Sequence, residues 1–212
     1  MRKTLVAAMA LVALTFGLAQ AAPVKAPKPE PALSPVVDLQ LVSGKHICTG
    51  FYVGNGRVVT ASHCVDDFAE TYKIKFTDGT VADAHIAVIA DWKRGFDDFA
   101  ILTFAEPKTP IRPLQLRCEV PAVGEYVSMT GYPSDMGLTT VWGRVSGGLS
   151  TWGPWPAVFR VDIAAIGGNS GSAIVDGEGR VVGILVGGYR DTSFSVAVPM
   201  TKVCAMLDIG VA

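Results

Sequence analysis

From residue 36 onward the chain is written in short blocks of β-branched, aromatic and other large apolar side chains, with turn signals rich in Gly, Pro, Asn, Asp or Ser between them. That alternation is the signature of strands and turns, not of helices. The first set of predicted strands is Val36 to Val42, Ile47 to Val53, Arg57 to Thr60, Lys73 to Phe76, Val81 to Ile89 and Ala100 to Phe104. A second set follows: Tyr126 to Thr130, Thr139 to Val145, Ala157 to Val161, Ala173 to Val175, Val181 to Val186 and Phe194 to Val198. Between them lies Glu106-Pro-Lys-Thr-Pro-Ile-Arg-Pro113, whose prolines donate no backbone hydrogen bond and fit a crossover between two halves. Helix has little room, with one turn at Ala61 to Val65 and a segment from Met200 to Leu207 behind Pro199. The expectation is an all-β fold of two packed six-stranded antiparallel barrels, about 36-105 and 120-198, with a short C-terminal helix at about 200-207. No internal sequence repeat is visible.

The one long apolar run breaks this pattern. Leu5 to Leu18 follows Arg2 and Lys3 and ends in Ala19-Gln-Ala21, the three-part layout of a secretory signal peptide. The run is shorter than the roughly 20 residues that a spanning helix needs, so residues 1-21 are expected to be cleaved, leaving no stable membrane span. Residues 22-35, with Pro23, Pro27, Pro29 and Pro31, form an expected extended linker, and residues 36-212 the folded part. Composition adds little beyond this. The 212 residues are 50% hydrophobic and carry a formal charge of -1, and their 18 basic and 19 acidic side chains are scattered, which argues against a nucleic-acid partner. Four cysteines in a chain with an export signal favour two disulfides, with three pairings open, and no C-x-x-C pair supports a zinc or redox site.

The chemistry sits in three short stretches. Val59-Thr-Ala-Ser-His-Cys64 puts His63 just after a strand; Asp98-Phe-Ala-Ile-Leu102 puts a carboxylate at the head of another; Ile166-Gly-Gly-Asn-Ser-Gly-Ser-Ala-Ile-Val175 frames Ser170 with glycines. A serine hydroxyl needs a base to take its proton, and the base needs a carboxylate to fix its tautomer. Asp97 competes with Asp98 for that last role, but the alternation Asp98, Ala100, Leu102 runs on into the strand and favours Asp98. All three histidines precede Ser170, so the Ser, Asp, His order of an α/β-hydrolase is impossible with this nucleophile. His46 and His85 show no metal-ligand spacing and read as solvated or locally bonded.

In this order the stretches "TASHC", "DFAIL" and "GNSGS", with "VVGI" after the serine, resemble the chymotrypsin-fold (trypsin-like) serine proteases, and within them the bacterial HtrA-type branch, here without a PDZ domain. The resemblance covers roughly Ile47 to Pro199. It implies that His63 is the general base, Asp98 its orienting carboxylate and Ser170 the nucleophile, with the amides of Gly168 and Ser170 as an oxyanion hole. Such a donor typically contributes about 3 to 4 kcal/mol to transition-state stabilisation. It also implies a Cys48 to Cys64 disulfide stapling the histidine loop, leaving Cys118 for Cys204. Asn169, where zymogen-activated members carry an aspartate, makes no ion pair with a new N-terminus.

By the same resemblance the primary pocket is lined by Ala164 and Ala165, by Val186, Gly187 and Gly188, and by Ser195, while Asp162 and Asp191 fall on a strand end and a loop. An uncharged pocket implies cleavage after small or medium apolar residues. The expectation is therefore a secreted or periplasmic, monomeric serine endopeptidase acting on protein or peptide through an acyl-enzyme, without metal or other cofactor. The alternative is a catalytically silent, exported binding module of the same fold. A disulfide-stapled all-β sandwich explains the composition but leaves the catalytic set a coincidence. Trp142, Trp152 and Trp155, with Pro154 and Pro156, read as a packed surface loop rather than as a substrate rim.

Overall fold

The computed structural model describes residues 34-65, 71-134, 136-189 and 191-208. The expected signal peptide and all but the last two residues of the expected linker lie outside these. The first half folds into β1 (Val36–Gln40), β2 (His46–Gly54), β3 (Arg57–Thr60), β4 (Tyr72–Lys75), β5 (Val81–Ile89) and β6 (Ala100–Phe104). These close into an antiparallel barrel in the order β1-β2-β3-β6-β5-β4. After the two-residue β7 (Gln115–Leu116) come β8 (Tyr126–Gly131), β9 (Thr139–Trp152), β10 (Trp155–Val161), β11 (Ala173–Asp176), β12 (Arg180–Gly188) and β13 (Ser195–Pro199).

The second set is also a closed barrel of six antiparallel strands, β11-β8-β9-β10-β13-β12, because β11 and β12 pair to seal it. One addition was not expected: β7, from the crossover, pairs in parallel with the outer edge of β12. The helix α1 (Thr201–Asp208) ends the described chain, and no helix among the described residues is long and apolar enough to cross a membrane. Both predicted halves and the helix are therefore present.

Burial explains why these sequences take these strands. In β12 the run Val181 to Val186 is buried at every position, unlike the alternating pattern of a strand with one wet face. Val182 and Leu185 belong to the interior of the second barrel, with Phe159, Ile163 and Ile174. Val181, Ile184 and Val186 instead join a larger cluster that runs through Phe51, Ile74, Ile101 and Leu102 of the first barrel. One strand thus serves two cores. Each such side chain, when fully buried, contributes about 1.5 to 3 kcal/mol.

Candidate active site

Register brings the histidine and the carboxylate together. β3 and β6 run antiparallel with Thr60 opposite Ala100, so the residues that follow Thr60 and those that precede Ala100 leave the barrel side by side. Beyond Thr60 the chain enters a single 3-10 turn at Ser62–Cys64, and Cys64 is bonded to Cys48 of β2, which holds the turn down. The second disulfide, Cys118 to Cys204, ties the crossover to α1. His63 Nδ1 meets Asp98 Oδ2 at 2.6 Å.

The carboxylate of Asp98 is fully buried, and both of its oxygens are saturated. Oδ1 accepts the Ser62 hydroxyl at 2.8 Å and the His63 backbone amide at 3.0 Å. Oδ2 accepts the His63 ring and the indole N–H of Trp155 at 2.9 Å. Burial pushes the Asp98 carboxyl up, but the hydrogen bond and charge of His63, with the His63 amide and the Ser62 hydroxyl, outweigh it and hold the group below the usual carboxylate range. The competitor, Asp97, is also buried but turns away to pair with Lys202 of α1.

Ser170 lies in the turn between β10 and β11. Asn169 N–H donates to the Ile166 carbonyl and Ser172 N–H to the Asn169 carbonyl, so the serine sits at the crest of two consecutive tight turns. Gly168 and Gly171, at φ +93° and +84°, adopt the left-handed region that glycine enters freely. Contacts from the first barrel fix the turn. The buried Thr49 of β2 donates its backbone N–H to Ser170 O at 2.9 Å and its hydroxyl to Gly168 O at 2.8 Å. A side chain on Gly171 would strike Thr49 O and Thr60 Oγ1 and would lie 3.1 Å from Ala61 N, so the turn rests on the very segment that leads into His63.

Among the described residues, the N–H groups of Gly168 and Ser170 have no partner, which leaves two main-chain donors free beside the hydroxyl. No hydrogen bond joins Ser170 Oγ to His63 Nε2. His63 also lies near the sulfurs of Cys48 and Cys64, but those are joined to each other and are not thiolates able to hold a metal.

Beside Ser170 is a cavity of about 470 Å³. Ala164, Ala165, Gly187 and Gly188 line it, with Ile166, Leu185, Tyr189 and Asp191. Val186 and Ser195 do not. Val186 is buried in the larger core, and Ser195 donates its hydroxyl to Ile163 O at 2.6 Å. The irregular pairing of β12 and β13 between Leu185 and Gly187 shifts which side chains face the cavity, and this cannot be counted from the sequence. Asp191 is solvent-exposed although it lines the wall, while the Asp162 carboxylate accepts the Arg144 amide instead.

The tryptophan stretch is also placed differently. It is not a loop: β9 runs to Trp152 and β10 begins at Trp155, so the two indoles flank a tight hairpin. They stack at 5.1 Å with an interplanar angle of 8°, and Trp155 reaches the carboxylate of the other barrel. Trp142 is separate and exposed.

Residues 48–184 match the family of the trypsin-like peptidase domain. Over 154 residues, 71% of this chain and 29% of the relative, the protein is 31% identical to a "Probable periplasmic serine endoprotease DegP-like" from Brucella suis biovar 1. A shorter match of 66 residues, 31% of this chain and 22% of the relative, is 38% identical to a "Glutamyl endopeptidase" from Staphylococcus epidermidis. The chain therefore spans less than a third of the length of either relative. In fold it is similar to the serine endoprotease of Yersinia pestis, with a TM-score of 0.68 at 20% identity over 82% of this chain and 62% of that one. With two sealed barrels, a buried Asp–His pair and a match across most of its folded length, this chain belongs to the trypsin-like peptidase domain family.

Proposed function

We propose that the protein is an exported serine endopeptidase. The observation that carries this reading is the saturated Asp98 carboxylate on His63, set on the segment that supports Ser170 and its two free amides. Ser170 Oγ attacks the scissile carbonyl as His63 Nε2 takes its proton, and Asp98 holds the ring in the tautomer with the proton on Nδ1. The N–H groups of Gly168 and Ser170 receive the developing oxyanion. His63 then returns the proton to the leaving amine, and water repeats the sequence in reverse on the acyl-enzyme.

Two disulfides and the periplasmic name of one relative support a compartment outside the cytoplasm, for which the Arg2 to Ala21 segment is the expected address. The inner wall of the cavity is alanine, glycine, Ile166 and Leu185, which favours small or medium apolar side chains before the cleaved bond. Its one charge among the described lining residues is the carboxylate of Asp191, which opposes an acidic side chain there.

Labelling with a serine-directed fluorophosphonate tests the reading. The wild-type protein is expected to label and Ser170→Ala to remain unlabelled. A wild-type protein that stays unlabelled in oxidised, folded form would instead leave the silent binding module. A peptide library that returns a strong Glu preference would overturn the apolar assignment alone.

A further inference from the structure

Trp155 belongs to the second barrel, yet its N–H ends on the buried carboxylate of the first. The other donors to Asp98 come from Ser62 and His63, the same short turn that the carboxylate is meant to orient. A carboxylate bonded only to that turn would move with it. The terminal torsion of an aspartate has a broad, shallow profile, so a donor from outside is what removes the remaining freedom of Oδ2.

The indole is itself clamped. It stacks on Trp152, and its centroid lies 6.4 Å from that of Trp92 at an interplanar angle of 27°. Trp92 in turn meets the His63 ring edge-on at 6.2 Å. On the side of β12 the floor is Gly187, where a Cβ would lie 3.0 Å from Trp155 Cη2 and 3.1 Å from Trp152 Cζ3. A glycine there lets the rings lie flat.

We infer that Trp155 is a positioning residue for the imidazole: through Asp98 Oδ2 it locks the orientation of His63, and so couples the β9–β10 hairpin to turnover. The inference rests on the reading of Ser170, His63 and Asp98 as the reacting set.

The experiment replaces Trp155 with β-(3-benzothienyl)alanine, which keeps the ring system and its stacking and puts sulfur where the N–H was. Trp155→Phe serves as a second variant. Turnover of a chromogenic peptide ester and the rate of fluorophosphonate labelling are measured in the native background and in Asp98→Ala. In the native background kcat is expected to fall about 10- to 100-fold, the usual cost of removing an outer partner of a working side chain, with KM nearly unchanged. In Asp98→Ala the same replacement is expected to change kcat by less than about twofold, because the two positions act as one unit.

An isostere with native kcat overturns the inference, as does a loss that persists at full size without Asp98, which would mark a packing role only. These failures differ from failure of the underlying reading. If the unsubstituted protein neither labels nor turns over, the reacting set falls and the inference with it; if it labels and the isostere labels as fast, the inference alone falls.

Discussion

Among the described residues, two His–Asp pairs share nearly the same inner geometry. His63 Nδ1 lies 2.6 Å from Asp98, and His46 Nδ1 lies 2.5 Å from Asp38. Their surroundings separate them. Asp98 is wholly buried and takes four hydrogen bonds, whereas Asp38 is partly exposed and has one further donor, the Gln40 amide at 2.6 Å. The far nitrogen of His46 is buried without a partner among the described residues, 2.5 Å from where a Cβ on Gly168 would be. A carboxylate and an imidazole in contact are therefore not yet a catalytic device. What separates the two pairs is the burial of Asp98 and the donors that stop its carboxylate from turning.

The largest effect should come from neutralising each acid in turn. Asp98→Asn leaves the volume unchanged but lets the histidine adopt the wrong tautomer, a change expected to lower kcat on the order of 10⁴-fold. Asp38→Asn should leave kcat within about threefold, since a group away from the reacting atoms acts mainly on stability. Parallel kinetics on a peptide ester check both; equal losses would make the second pair part of the chemistry.

Gly168→Ala probes the wall between the pairs. An added methyl would come closer than 3.0 Å to the Tyr132 carbonyl, the Ser134 amide and His46 Nε2, at a φ of +93° that disfavours a side chain. Two of those neighbours are backbone and give way poorly, so the Gly168 amide, proposed above as an oxyanion donor, should be displaced. Loss of one such donor typically costs about 10² to 10³ in kcat. Native turnover in a folded Gly168→Ala protein would mean that this amide does not meet the oxyanion.

How much of this could be read beforehand follows from the range of the interactions. The twelve principal strands and the glycine-framed serine were legible because apolar runs and positive-φ glycines are local signals. Strand ends were not. The expected strand stops at Val145, but β9 runs on to Trp152 because Gly147 and Ser150 pair with Arg160 and Val158 of β10, and the Arg160 side chain lies 2.5 Å from where a Cβ on Gly147 would be. Val186 and Ser195 do not line the cavity beside Ser170, because a change of register moves side chains off the expected face. Trp155 was missed as a partner of Asp98 because 57 residues separate them, and the ring gives no local clue to where its N–H points.

Next in size is the staple beside His63. Cys48 and Cys64 enclose a 16-residue separation, for which the chain-entropy estimate gives about 3 kcal/mol. The double alanine variant should lose that much in urea unfolding and, on the proposed role of His63, also turn over more slowly, because that side chain is no longer held. The Cys118 and Cys204 pair, 86 residues apart, should cost about 4 to 5 kcal/mol yet leave kcat of the folded fraction unchanged. If the two variants slow turnover equally, the first staple has no special role at the site.

The smallest effect needs no substrate. The Asp98 carboxyl lies below its ordinary value in the folded protein, so the unfolded chain binds the proton more readily as acid is added. Asp98 thus contributes stability that is complete above about pH 4, the unfolded value, and that disappears as pH falls through the lower folded value. Asp176 and Glu125, also held low by their arginines and backbone donors, steepen the acid limb but do so equally in wild type and Asp98→Asn. The difference between the two urea-unfolding curves, followed downward from about pH 5, isolates the one carboxylate. It should narrow with acid. A difference that stays constant or widens would mean that the hydrogen bonds around Asp98 do not favour its charged form, and the contrast with the second pair would then rest on burial alone.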